Sequence, residues 1–234
     1  MGFLFADERI NRSSRDAGLH LSCGILSRFC VEVFPPSQAH PMTASVTPRR
    51  PGRQGFTVFF TGLSGAGKST LANALHARLM EIGSRSITLL DGDIVRRNLS
   101  SELGFSKEHR DLNVQRIGFV AGEITRHGGI TICAAIAPYH AARNAVRNTV
   151  LQHGGFYQVH VSTRIEVCEA RDRKGLYAKA RAGLVQSFTG VNDPYEIPLD
   201  SEISVDTEKT DVDEAINMII ARLIGDGFLP RAPE

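Results

Sequence analysis

Gly62-Leu63-Ser64-Gly65-Ala66-Gly67-Lys68-Ser69-Thr70 has the GxxxxGK[ST] spacing, and the chemistry it offers is the gripping of a polyphosphate. Such an anion needs many donors at close range, so backbone N–H groups must come inward with no side chains in the way. Gly62, Gly65 and Gly67 allow that approach, and Ser64, Ala66, Lys68, Ser69 and Thr70 contribute their amides beside them. A helix opening at Lys68 would add the positive end of its dipole. Lys68 can reach β- and γ-phosphates, and the Ser69 hydroxyl can face Mg²⁺. The pattern points to nucleoside triphosphate binding. It does not separate a switch, a motor and a small-molecule phosphotransferase. A guanine-reading NKxD is missing, and Asp172-Arg173-Lys174-Gly175 spells DxxG only by accident, after a helix and among cations.

Three further segments could act on an acceptor. Asp91-Gly92-Asp93 offers two carboxylates, with Arg96 about one helical turn on; one carboxylate could hold Mg²⁺ through water or take a proton from a hydroxyl. The plainer reading is a turn with an N-cap aspartate. Phe105 precedes Arg110 and Asn113, which share a helix face at their spacing of three. Arg171 to Arg181 packs five cations into eleven residues. A charge run of this kind is commonly a solvated face. Transfer of a phosphoryl group, however, calls for a mobile cationic lid that excludes water.

The elements that must hold these residues alternate. Phe56–Thr61 is a continuous apolar run, as expected of a strand covered on both faces. A helix is predicted from Lys68 to Ile82, then strands at Ser86–Asp91, Ile130–Ile136 and Phe156–Ser162. Between the second and third strands, Ile117, Val120, Ala121 and Ile124 set a helical period that ends at Gly128-Gly129. Thr163 and Glu166 have the form of a capping box opening another helix. A strand at Ile203–Val205 and a helix at Val212–Leu223 close the series. Strand–helix alternation implies an α/β fold of the P-loop NTPase type, a three-layer sandwich with a parallel sheet covered by helices on both faces.

With 27 Lys and Arg against 25 Asp and Glu in 234 residues, the net charge of +2 is no footprint for coating nucleic acid. No apolar run is long enough to span a bilayer. Four cysteines without a CxxC pair argue against a disulfide framework or zinc site and fit reduced thiols in the cytoplasm. Five of the ten prolines fall between Pro35 and Pro51, so residues 1–54 read as a disordered leader and linker. Translation starting at Met42 is an alternative. An organellar leader is a further reading, against which Asp7 and Glu8 count. The domain is expected over 55–225, with 226–234 as a tail.

The stretches GLSGAGKST (62–70), DGDIVR (91–96), LGFSKEHRDLNVQRIG (103–118), IAPY (136–139), CEARDRKGLYAKARAG (168–183) and FTGVNDPYEIP (188–198) together resemble the adenylylsulfate kinase (APS kinase) family. The resemblance implies transfer of the γ-phosphate of ATP, with Mg²⁺, to the ribose 3′-hydroxyl of adenosine 5′-phosphosulfate (APS). It implies that Phe105 and Phe188 sandwich the adenine of APS, and that Arg96, Arg110 and Asn113 grip its phosphosulfate and ribose. Ile136 and Ala137 would line the same site, and Lys174 would face it from the lid. Asp93 comes first and Asp91 second for orienting Mg²⁺ or activating the hydroxyl. Lys68 and Arg171 would stand nearest the transferring phosphate. The family is typically dimeric, and its similarity to kinase halves fused to ATP sulfurylase implies coupling to that enzyme. Two positions depart: Ile94 stands where the family commonly has asparagine, and Ala137 where it commonly has serine. Alanine cannot be phosphorylated, so direct in-line transfer without a phospho-enzyme is expected. The alternatives are a gluconate- or shikimate-type kinase, or a nucleotide-binding regulatory module without turnover.

Overall fold

A computed structural model describes residues 53–83, 85–172 and 174–231, so all but the last two residues of the leader and linker expected over 1–54 lie outside the described residues. In chain order the elements are β1 (Phe56–Gly62), α1 (Lys68–Ile82), β2 (Ile87–Asp91), α2 (Gly92–Leu99), α3 (Lys107–Arg126), β3 (Ile130–Ala134), α4 (His140–Leu151), β4 (Gly155–Val161), α5 (Ile165–Arg171), α6 (Leu176–Arg181), β5 (Ile203–Val205) and α7 (Val212–Gly225). All strand pairings are parallel, in the order β2-β3-β1-β4-β5. β1 therefore sits centrally and is buried at every position, which its apolar, β-branched sequence suits.

Alternate residues of β1 face opposite layers. Val58 and Phe60 pack with Leu71 and Leu75 of α1 and Ile219 and Leu223 of α7. Phe59 packs on the other side with Val114, Ile117 and Ala121 of α3 and Val146 of α4. This is the expected three-layer sandwich. Parallel strands require crossover helices, and α1, α3 and α4 supply them on the two faces. A Cβ on Gly118 would come within 2.7 Å of Val146 Cγ2, so the close approach of α3 to α4 requires glycine there.

Several local expectations shift. The buried face of α3 runs through Val114, Ile117, Gly118, Ala121 and Thr125, leaving Val120 and Ile124 only partly covered. Thr163 caps nothing: α5 starts after Arg164 without a side-chain cap, because the Thr163 hydroxyl is spent on Ala66 O at 3.1 Å. Phe228 stacks edge-on against Phe56 and Tyr157, both at 5.6 Å, and Leu229 is buried, so packing continues past residue 225.

Candidate active site

The carboxyl ends of the strands are where an open α/β sheet places ligands, at the point where strand order reverses. Here β1, with β3 on one side and β4 on the other, occupies that point. A cleft of about 940 Å³ opens above it, lined by the loops after β1, β2, β3 and β5, by Arg171, Asp172, Lys174, Leu176 and Tyr177, and by 185–189.

The loop after β1 delivers α1 with Gly67 as its N-cap, at φ 108° and without a side-chain cap. The first N–H groups of α1 thus have no capping side chain and point at the cleft. Gly67 has a second duty: a Cβ there would stand 3.2 Å from Thr207 Cγ2. Thr207 clamps this loop, its hydroxyl donating to Ala66 O at 2.9 Å and accepting from Arg171 Nη1 at 2.8 Å. Arg171 also donates to Thr207 O at 3.1 Å, which ties the start of the cationic run to the phosphate loop. Lys68 Nζ donates to Leu63 O at 2.7 Å. Burial pulls its ammonium down to about 8, against the opposing pull of Cys168, Asp91 and Asp93.

Both carboxylates after β2 reach the cleft, with different partners. Asp91 Oδ2 accepts from Ser69 Oγ at 2.7 Å, while its Oδ1 accepts from Asp93 N at 2.9 Å and caps α2. The N-cap reading of Asp91 therefore holds, and its second oxygen meets Ser69 in the cleft. Asp93 pairs with Lys174 across the cleft, both largely exposed. Ser69 and Asp91 form a pair of hard oxygen donors of the kind that suits Mg²⁺ shared with substrate phosphates. Among the described residues no group of three or more His, Cys, Asp or Glu is placed to hold a metal by itself.

The acceptor-side residues converge as well. Arg96 lies over the Phe105 ring at 4.6 Å and donates to Gly104 O at 2.8 Å. Arg110 donates to Phe105 O at 2.8 Å and to Thr189 Oγ1 and Ser187 O, and lies 3.5 Å from Asp193. Both guanidinium groups face the cleft but commit donors to holding the segments that carry Phe105 and Phe188. Phe105 is 63% exposed, a ring waiting for cover, whereas Phe188 is buried. Asn113 lines the cleft and is buried, with its Oδ1 unpartnered. Ile136 and Ala137 line the wall. Ile94 does not: the residue is 49% exposed, and the wall runs through Asp93 and Arg96 instead.

Two contributors escaped the sequence reading. Thr207 is one. The other is Tyr177, whose hydroxyl donates to Ser64 O at 2.9 Å while its ring meets Phe188 edge-on at 4.9 Å, joining the phosphate loop to the acceptor wall. Tyr177 lay within the cationic run, and its aromatic character among cations was the available signal.

The family model described as adenylylsulphate kinase matches residues 54–206. The chain belongs to the adenylylsulphate kinase family. It is similar to the sulfate adenylyltransferase of Aspergillus clavatus, 53% identical over 180 residues, covering 76% of this chain and 31% of that protein. The corresponding protein of Aspergillus oryzae is 51% identical over 179 residues, again 76% of this chain and 31% of the relative. The chain thus spans under a third of the length of these curated relatives. Among solved structures it is similar to the Mycobacterium tuberculosis APS kinase CysC in complex with AMPPNP and APS, at 38% identity and TM-score 0.70, covering 73% of this chain and 98% of that one. The hexameric APS kinase from Thiobacillus denitrificans is 52% identical with TM-score 0.61, covering 76% of this chain and 30% of that one. The adenylylsulphate kinase family is a P-loop phosphotransferase family, in agreement with the α/β sandwich and the loop after β1. No helix among the described residues is long and apolar enough to cross a membrane.

Proposed function

We propose that the chain transfers the γ-phosphate of ATP to the 3′-hydroxyl of APS, giving 3′-phosphoadenylyl sulfate and ADP. The observation that carries this reading is one cleft that joins an uncapped phosphate loop to two aromatic rings, Phe105 and Phe188, on the far wall. A base stacks on such rings, and a sugar-acid acceptor has no use for them.

In this reading the amides of Ser64, Gly65 and residues 67–70 and the Lys68 ammonium hold the triphosphate, with Arg171 beside them on Thr207, while the Ala66 amide is taken by Leu63 O. Ser69 and Asp91 would hold Mg²⁺, which would supply positive charge against the charge that develops on the transferred group. The contact between Ser69 and Asp91 favours Asp91 for this duty, the place the sequence reading gave first to Asp93. Asp93, paired with Lys174, accepts the proton of the attacking hydroxyl as the new O–P bond forms. The bond from the γ-phosphorus to the bridging oxygen breaks, and its electron pair leaves with ADP. Arg96, Arg110 and Asn113 orient the phosphosulfate and ribose. Ala137 offers no hydroxyl, so the transfer is direct. We place the work in the cytoplasm, in keeping with the unpaired thiols of Cys133 and Cys168. We further propose that the chain acts as a homodimer and passes on the product of ATP sulfurylase.

The deciding experiment incubates the purified chain with ATP, Mg²⁺ and APS and follows 3′-phosphoadenylyl sulfate. ATP binding without product would leave only a regulatory module. Replacing Phe105 with Ala is expected to raise the KM for APS about tenfold, on the order of one lost base stack, while the KM for ATP stays within about twofold. An unchanged APS KM would favour a base-free acceptor.

Lys68 adds a pH signature. Its ammonium is charged below about 8 in the free protein, and a bound polyphosphate holds it charged to higher pH. The complex then binds more protons than the free protein, so ATP affinity falls as pH rises above 8. Proton uptake on ATP binding is expected to be larger at pH 9 than at pH 7.5, because the free ammonium titrates near 8. Calorimetry in buffers of differing ionisation heat measures it.

A further inference from the structure

Arg143 on α4 is 1% exposed and does not line the cleft. Its Nη1 donates to Ala137 O at 2.8 Å and its Nη2 to Glu196 O at 2.7 Å, with the Tyr195 ring 5.7 Å away. Its Nε has no partner, and among the described residues no carboxylate forms an ion pair with it. Burying a cation in this way is costly, so the fold must extract something from it. What it touches is unusual. Ala137 has φ 44°, a left-handed conformation that alanine rarely adopts, and it forms part of the acceptor wall.

The neighbouring residues are laced to the same place. Thr61 Oγ1 donates to Ile136 O at 2.6 Å and lies 3.0 Å from Tyr195 OH. Glu196 N donates to Pro138 O at 2.9 Å, and Glu196 Oε2 accepts from His140 N at 2.5 Å. The guanidinium is the group that bridges the carbonyls of both segments at once, and its rigid planar fork suits two fixed acceptors as an ammonium does not.

We infer that Arg143 is a positioning residue for the acceptor: it holds Ala137 in its left-handed conformation so that residues 136–138 present a fixed wall to the substrate. This rests on the acceptor reading above. The test uses the full chain carrying Arg143→Lys, Ala137→Gly, or both. Glycine adopts positive φ unaided, so it removes the need for the strut. Arg143→Lys is expected to raise the APS KM about tenfold with the ATP KM within about twofold, and adding Ala137→Gly should recover most of that loss. Hydrogen exchange at residues 136–142, measured without substrates, should quicken in Arg143→Lys and slow again in the double variant. Folding of the double variant where Arg143→Lys alone fails to fold would also support the inference. Loss of the fold in both would overturn it, as would equal rises in both KM values without recovery, or unchanged exchange. A wild-type chain that forms no product would sink the acceptor reading, while the exchange measurement would still decide on Arg143.

Discussion

Lys68→Met is expected to lower kcat/KM about 1,000-fold, equivalent to about 4 kcal/mol of transition-state stabilisation. Methionine keeps an unbranched apolar stem, one atom shorter than that of lysine, and removes the charge together with the hydrogen bond to Leu63 O. Burial is what makes the charge effective: water does not screen it, and it stands ready beside the loop where the transferring group's charge spreads. The thermal transition of the variant should rise or stay level, because a desolvated ammonium opposes folding below about pH 8. Lost activity together with a lowered melting point would point to a structural duty for Lys68 instead. Steady-state kinetics and a thermal scan on the same preparation separate the two.

Asp91→Asn is expected to cost about 100-fold in kcat and to raise the Mg²⁺ concentration needed for half-maximal rate. Asparagine can still cap α2, since its side-chain oxygen can accept from Asp93 N, so the local fold should survive. What it loses is the negative charge beside the Ser69 hydroxyl. Asp93→Asn makes the contrast. It breaks the pair with Lys174, and its expected signature is a fall in kcat without a changed Mg²⁺ requirement. A Mg²⁺ titration of both variants assigns the two carboxylates; the reverse pattern would restore Asp93 to the metal.

Much of the site was readable because its signals are local. The spacing of the glycines and Lys68 states a demand on the backbone within nine residues, and the bounds of α1, Lys68–Ile82, emerged as the period and Gly83 predicted. α4 was not read. Its buried face consists of Ala142, Arg143, Val146 and Val150, and the spacing of four along Ala142, Val146 and Val150 was a helical signal that the reading passed over. The Thr163 capping box misled for a different reason. Its hydroxyl can satisfy a helix end or a distant carbonyl, and Ala66 O together with Thr207 took it.

The sequence alone determined the sandwich, the phosphate loop and the list of charged and aromatic groups, since these follow from runs, periods and spacings along the chain. Tertiary structure decided their partners: Asp91 beside Ser69, Asp93 with Lys174, Ile94 turned away from the cleft, and Arg143 under Ala137. The physical reason is that a side chain has several neighbours of comparable chemistry within reach. Which one it meets is set by how strands far apart in sequence stack side by side, and no local pattern carries that information.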